Sequence, residues 1–172
     1  RMSMMPSTPK QRGFTLVEIL VAVLVLSIGL LGLAGLQATS LRNSTSAAER
    51  TQATFLAYDI IERMRANKDA AETGGYDTAL NTAPSGTTNC QTSGAACSAA
   101  DMAAFDLNQW KCLLGKWSSN TVCSTTLDID RGLLPDGDAS ITRGANSIVT
   151  ITVQWTDGRD ADTVELPVRV RL

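Results

Sequence analysis

The chain has 172 residues, 44% hydrophobic and only 5% aromatic, with 15 basic and 17 acidic side chains and no histidine, for a formal net charge of −2. A chain of this size and near-neutral balance reads as one domain and carries no basic patch of the kind a nucleic-acid surface needs. Without histidine it lacks the side chain most used as a general base and as a zinc ligand, which argues against hydrolytic chemistry and against structural zinc.

Lys10 and Arg12 precede a run from Phe14 to Leu36 in which Glu18 is the one charged residue. As a helix, a segment of this length reaches about 34 Å at a rise of roughly 1.5 Å per residue, enough to cross a bilayer core of about 30 Å. The flanking bases predict a cytoplasmic N-terminus and send everything beyond Leu36 out of the cytoplasm. A carboxylate in such surroundings must stay near the interface, take up a proton or find a cationic partner. Gly29, Gly32 and Gly35 recur every three residues and predict a sector where another helix can approach closely. The polar leader ahead of the apolar run is short and stands in the reverse of the order of a secretory signal, and Arg1 ahead of Met2 is not a natural start.

Gly13 followed by Phe14-Thr15-Leu16-Val17-Glu18 and a long apolar helix resembles the class III leader of type IV pilins and type II secretion pseudopilins. That resemblance implies cleavage after Gly13 by a prepilin peptidase, methylation of the new N-terminus at Phe14, and retention of the apolar helix as a polymerisation stem. It also implies that Glu18, the fifth residue of the processed chain, pairs with the N-terminal amine of a neighbouring subunit. Removal of residues 1–13 would leave 12 basic and 17 acidic residues. The expected organisation is therefore a leader over 1–13, a membrane stem over 14–36, an amphipathic continuation of the same helix over 37–68, and a periplasmic head over 69–172.

Between Gln37 and Lys68 no proline intervenes, and Ala53, Leu56 or Ala57, Ile60 and Met64 form a stripe at helical spacing. Arg42, Glu49, Arg50, Asp59, Glu62 and Arg63 are expected on the opposite, solvated side, with Asp59/Arg63 and Glu62/Arg65 spaced to pair along the helix. Asn67 and Gly74-Gly75 end the pattern. Residues 73–100, rich in Gly, Ser, Thr, Ala and Asn, read as a long loop. A second helix is expected over Ala99 to Trp117, capped by Ser98 or Asp101, with Leu107, Trp110, Leu114 and Trp117 on one face as a cover for a sheet.

The period then changes to two. Val149, Ile151, Val153 and Trp155 alternate with polar residues, as do Val164, Leu166, Val168, Val170 and Leu172, which predicts two half-buried strands joined through Asp157-Gly158. Pro167 assigns the last strand to an edge. Leu134-Pro135-Asp136-Gly137 is a turn before a third strand, Ala139 to Arg143. The sum is an α+β fold, a long N-terminal helix packed on a small antiparallel sheet.

This order, with the helix at Trp110, the Leu134–Gly137 turn and the strand ending in Gln154-Trp155, resembles the PilV-type minor pilins. Major pilins commonly have proline where this stem has Gly35 and a disulfide close to the C-terminus. Here Cys90, Cys97, Cys112 and Cys123 lie in the middle of the chain, and two disulfides are expected in an oxidising periplasm. Three connectivities are open; Cys90–Cys97 with Cys112–Cys123 closes the shorter loops. Asp157, Asp160 and Asp162, and Asp128, Asp130, Asp136 and Asp138, offer oxygen ligands to calcium without the spacing of an EF-hand, and read as solvated turns. No cofactor and no nucleophile constellation is indicated. The resemblance implies, as partners, other minor pilins, the major pilin, prepilin peptidase, an inner-membrane assembly platform and a tip adhesin. Its alternatives are a secretion pseudopilin and a membrane-anchored binding module that does not polymerise.

Overall fold

The computed structural model describes residues 13–92, 94, 96–157 and 162–172. The chain divides into two compact units after Arg42, and helix α1, Leu16–Ala66, contributes residues to both. In the first unit every large apolar side chain from Leu16 to Leu41 is more than half exposed, so nothing within the unit covers the helix. Ser27 and Thr39 donate their hydroxyls to the carbonyls of Val23 and Gly35, 2.7 and 3.1 Å away. The two polar groups are thereby satisfied inside an apolar helix that is long enough to cross a membrane.

In the second unit the expected stripe of α1 is buried: Ala53, Leu56, Ala57, Ile60 and Met64 are all 4% exposed or less, and Ile61, outside the expected stripe, is buried with them. Glu49 corrects the predicted solvated side, for it is buried along with the stripe. On the helix it lies four residues before Ala53, on the side of the buried stripe. The helix ends at the expected Asn67: Ala66 is the last residue of α1, Asn67 adopts a non-helical conformation, and a short α2, Lys68–Glu72, follows. Gly74 then takes a positive φ of 87°. Past it the predicted loop is not all surface: Tyr76 is 1% exposed.

Helix α3 spans Ala99–Leu114, and both candidate caps act together. Ser98 accepts from the backbone N–H of Asp101, whose carboxylate accepts in turn from the backbone of Ser98, a reciprocal capping box. The helix ends at Gly115, φ 129°, so Trp117 lies beyond it and the expected four-residue face stops at Leu114. A π-helical turn, Val122–Thr126, comes next, and no period in the sequence marks it. The predicted turn at Leu134–Gly137 closes with the Gly137 N–H donating to Leu134 O at 3.3 Å, and Asp136 takes a φ of 49°. Three glycines make this junction tight. A Cβ on Gly132 would stand 1.9 Å from the Cα of Gly115, and one on Gly137 2.3 Å from the carbonyl oxygen of Leu114.

Strands β1 (Asp138–Arg143), β2 (Ile148–Thr156) and β3 (Thr163–Arg171) form an antiparallel sheet in sequence order. Ile141 opposes Ile151, and Ile151 opposes Val168, so the apolar rows align across all three strands. Alternation is complete in β2, where Val149, Ile151, Val153 and Trp155 are buried. In β3 the inward row is only half-buried, as fits an edge strand carrying Pro167. The outer edge of β1 is met by Thr78, whose N–H and carbonyl bond Ile141 at 3.1 and 2.8 Å. Gly158 and Asp160, in the predicted β2–β3 connection, lie outside the described residues.

Candidate functional site

The stem begins with its own cap. Thr15 accepts the N–H of Glu18 on both its carbonyl, at 3.1 Å, and its hydroxyl, at 3.3 Å, which fixes the first turn of α1. Glu18 stands in that first turn, where the helix dipole favours a carboxylate. Among the described residues Glu18 has no ion-pair partner. Phe14 and Glu18, four residues apart, line one shallow groove with Ile19, Ala22, Val23 and Leu26. A second groove, bounded by Ala22, Val25, Leu26, Gly29, Leu30 and Leu33, follows along the stem. A Cβ built on Gly29, Gly32 or Gly35 would meet nothing within 4 Å, so these glycines are open surface within the chain. Gly13 and Phe14 are exposed ahead of the helix, Phe14 by 79%.

The head is tied by two disulfides, Cys90–Cys97 and Cys112–Cys123, with Cα separations of 6.0 and 5.4 Å. This is the pairing that closes the shorter loops. Cys112 and Cys123 are fully buried, whereas Cys90 and Cys97 are half-buried.

Two polar clusters join distant segments. Arg63 reaches Asp59 at 2.9 Å, Asp106 at 3.1 Å and Gln109 at 2.5 Å, and Tyr76 donates to the other oxygen of Asp106 at 2.5 Å. Burial, and then the hydrogen bond to the Asp106 carboxylate, push the Tyr76 phenol well above its ordinary range. The second cluster is an ion pair between Lys111 and Asp138 at 2.6 Å, with both side chains 4% exposed or less. Lys111 also donates to the carbonyls of Ala79 and Ala139, and Asp138 accepts from the backbone N–H groups of Asn81 and Ala139. Burial lowers the Lys111 pKa, and the aspartate opposes that shift. Asp138 is thereby committed inside the fold, which corrects its place among the calcium candidates. Among the described residues no three acidic or cysteine side chains converge on a point where a metal ion could sit.

Two family models match the chain. The prokaryotic N-terminal methylation motif matches residues 8–34, and the family of type IV pilin Tt1218 matches residues 35–108. Over those residues the chain is similar to type IV pilins. No curated protein and no solved structure matches it. In this pilin-like chain the first match covers Gly13, Phe14, Glu18 and most of the stem, while the second runs from Gly35 through α1 and α2 into α3. The three strands lie outside both matches. Their place in a pilin-like α+β fold rests on the sheet itself and on the helix packed against it.

Proposed function

We propose that this chain is a minor pilin, cleaved after Gly13, methylated at Phe14 and built into a type IV pilus near its tip, where it helps to prime assembly. The observation that supports the reading is Glu18, without an ion-pair partner among the described residues, in the first turn of a helix whose apolar first half is exposed, inside a match to the N-terminal methylation motif. In the membrane before assembly the stem is solvated by lipid, and in a fibre it is covered by other stems. Lipid and stems are equally apolar, so close packing at Gly29, Gly32 and Gly35 and the pairing of one charge decide the register. A carboxylate left unpaired in such surroundings costs free energy that a neighbouring subunit's N-terminal amine largely offsets. The head stays in the periplasm, where its disulfides are stable. The partners of this role are the other minor pilins, the major pilin, prepilin peptidase, the inner-membrane assembly platform and a tip adhesin.

Glu18→Ala as the only copy of the gene tests the reading. The expected outcome is normal processing and membrane level, but lower recovery of partner pilins and fewer surface pili. Normal partner recovery and piliation with the variant would remove Glu18 from assembly. Normal piliation after deletion of the whole gene, with a loss of protein secretion, would transfer the chain to the pseudopilins.

A further inference from the structure

Between Tyr76 and α3 the chain crosses the head with little apolar anchorage. From Asp77 to Ser98, Pro84 is the single buried residue among the described ones. Polar side chains hold this stretch instead. Asn108 of α3 grips Ser85 twice, accepting its N–H at 3.1 Å and donating to its carbonyl at 2.7 Å. Asn120 donates to the carbonyl of Pro84 at 3.4 Å, and Asn89 donates to that of Thr126, the last residue of the π-helical turn, at 3.2 Å. Residues 84–90 are therefore a strap, bonded to α3 near its start and to the π-helical turn near its end. There Cys90 is joined to Cys97, which adjoins Ser98, the N-cap of α3.

The hydrogen bonds of the strap are exposed or only partly buried, and water competes there for the same groups, so each contributes little alone. Their hold depends on the far end of the strap staying close. The disulfide keeps it close, by tying Cys90 beside the start of a 16-residue helix. With that bond open, the tether beyond Asn89 lengthens to the whole chain up to Ser98, and a longer loop costs more entropy to close. The second disulfide is placed differently. Cys112 and Cys123 are fully buried and join α3 to the π-helical turn, so the surface under the strap stays together in either state of Cys90–Cys97.

We propose that Cys90–Cys97 is a redox latch, which fastens the strap to α3 and the π-helical turn when closed and releases it when a dithiol opens the bond. The half-buried sulfurs are within reach of such a reductant. One thiolate of the dithiol attacks a sulfur of the pair and breaks the S–S bond, and its second thiolate then displaces the mixed disulfide. Two electrons and two protons pass to the chain, which gains two thiols, and the reductant leaves as a disulfide. Opening bares α3 at Asn108 and the π-helical turn at Thr126. The redox state of the compartment thereby sets which surface the head presents. The inference needs no assembly role, since the latch belongs to the head alone.

Hydrogen exchange on the full-length protein in detergent micelles tests the latch in three forms: oxidised, treated with dithiothreitol, and Cys90→Ser with Cys97→Ser. Alkylation and intact mass count the thiols released. The expected result is two thiols from the folded wild type, exchange over residues 84–90 roughly tenfold faster in both opened forms, and unchanged exchange in the three strands and over residues 53–64. Reoxidation after the reductant is removed restores slow exchange in the wild type. Equal rates over residues 84–90 in all three forms would overturn the proposal, as would a bond that dithiothreitol cannot open in the folded protein. Faster exchange throughout the head of the reduced wild type would overturn it too, making the bond a general brace. Asn89→Ala with both disulfides intact is expected to speed exchange over the strap less than the open latch does. An equal gain would place the hold in that hydrogen bond and remove the latch.

Discussion

An ammonium taken out of water keeps its charge only while a carboxylate stays in reach, and Lys111 is held in that way by Asp138. Lys111→Ala leaves Asp138 buried and unpaired, and is expected to cost about 3–5 kcal/mol in urea unfolding. Removing both charges does not repair the site, since Asp138 also accepts from the N–H groups of Asn81 and Ala139. Tyr76 gives a pH signature with a definite sign. Folding raises its pKa, so its contribution to stability is complete below the unfolded value of about 10 and is lost as pH rises above it. In a Tyr58→Phe background, phenolate absorbance should therefore appear only as the head unfolds at alkaline pH; full absorbance from folded protein just above pH 10 would contradict this. These residues were hardly legible in the sequence. The partners Arg63 and Asp106 stand 43 positions apart, Tyr76 and Asp106 30, and Lys111 and Asp138 27, and no local period marks such a pair. Glu49 is misread for a related reason, since charge is a poor guide where helical spacing puts a residue in line with a buried stripe.

At the scale of elements, the sequence speaks where one short segment carries its own period or cap. The stripe on α1, the alternation in β2 and β3, and the stem motif are all contiguous signals, and all stand in the structure where their spacing put them. The π-helical turn and the bridge from Thr78 to β1 depend on contacts between segments and leave no such trace. Ser98 is a cap of the legible kind. Ser98→Ala is expected to lower head stability by about 1 kcal/mol, read as a shift in the urea midpoint. Hydrogen bonds from Ser98 hold the Asp101 carboxyl below its usual range, so this cap's contribution is present above the ordinary carboxylate pKa and fades as pH falls through the lowered one. The disulfides should separate by access. Mild reductant is expected to open half-buried Cys90–Cys97 in the folded protein and to reach Cys112–Cys123 only on unfolding, as thiol mapping would show. Simultaneous release of all four thiols under native conditions would contradict that order.

The whole molecule pairs a helix with no cover of its own and a head with a packed core. Gly13→Leu is expected to retain residues 1–13 in a strain with active prepilin peptidase while leaving membrane insertion intact, because the apolar run is unchanged; intact mass decides it. In the proposed role, subunits waiting in a bilayer would stand side by side in one orientation, at a local concentration far above that of a soluble protein. Such crowding invites open strand edges to zip together into sheets that never come apart. Thr78 already occupies the outer edge of β1, and the edge strand β3 carries Pro167, which has no N–H to offer a newcomer. Such a reservoir could therefore be dense without its sheets congealing.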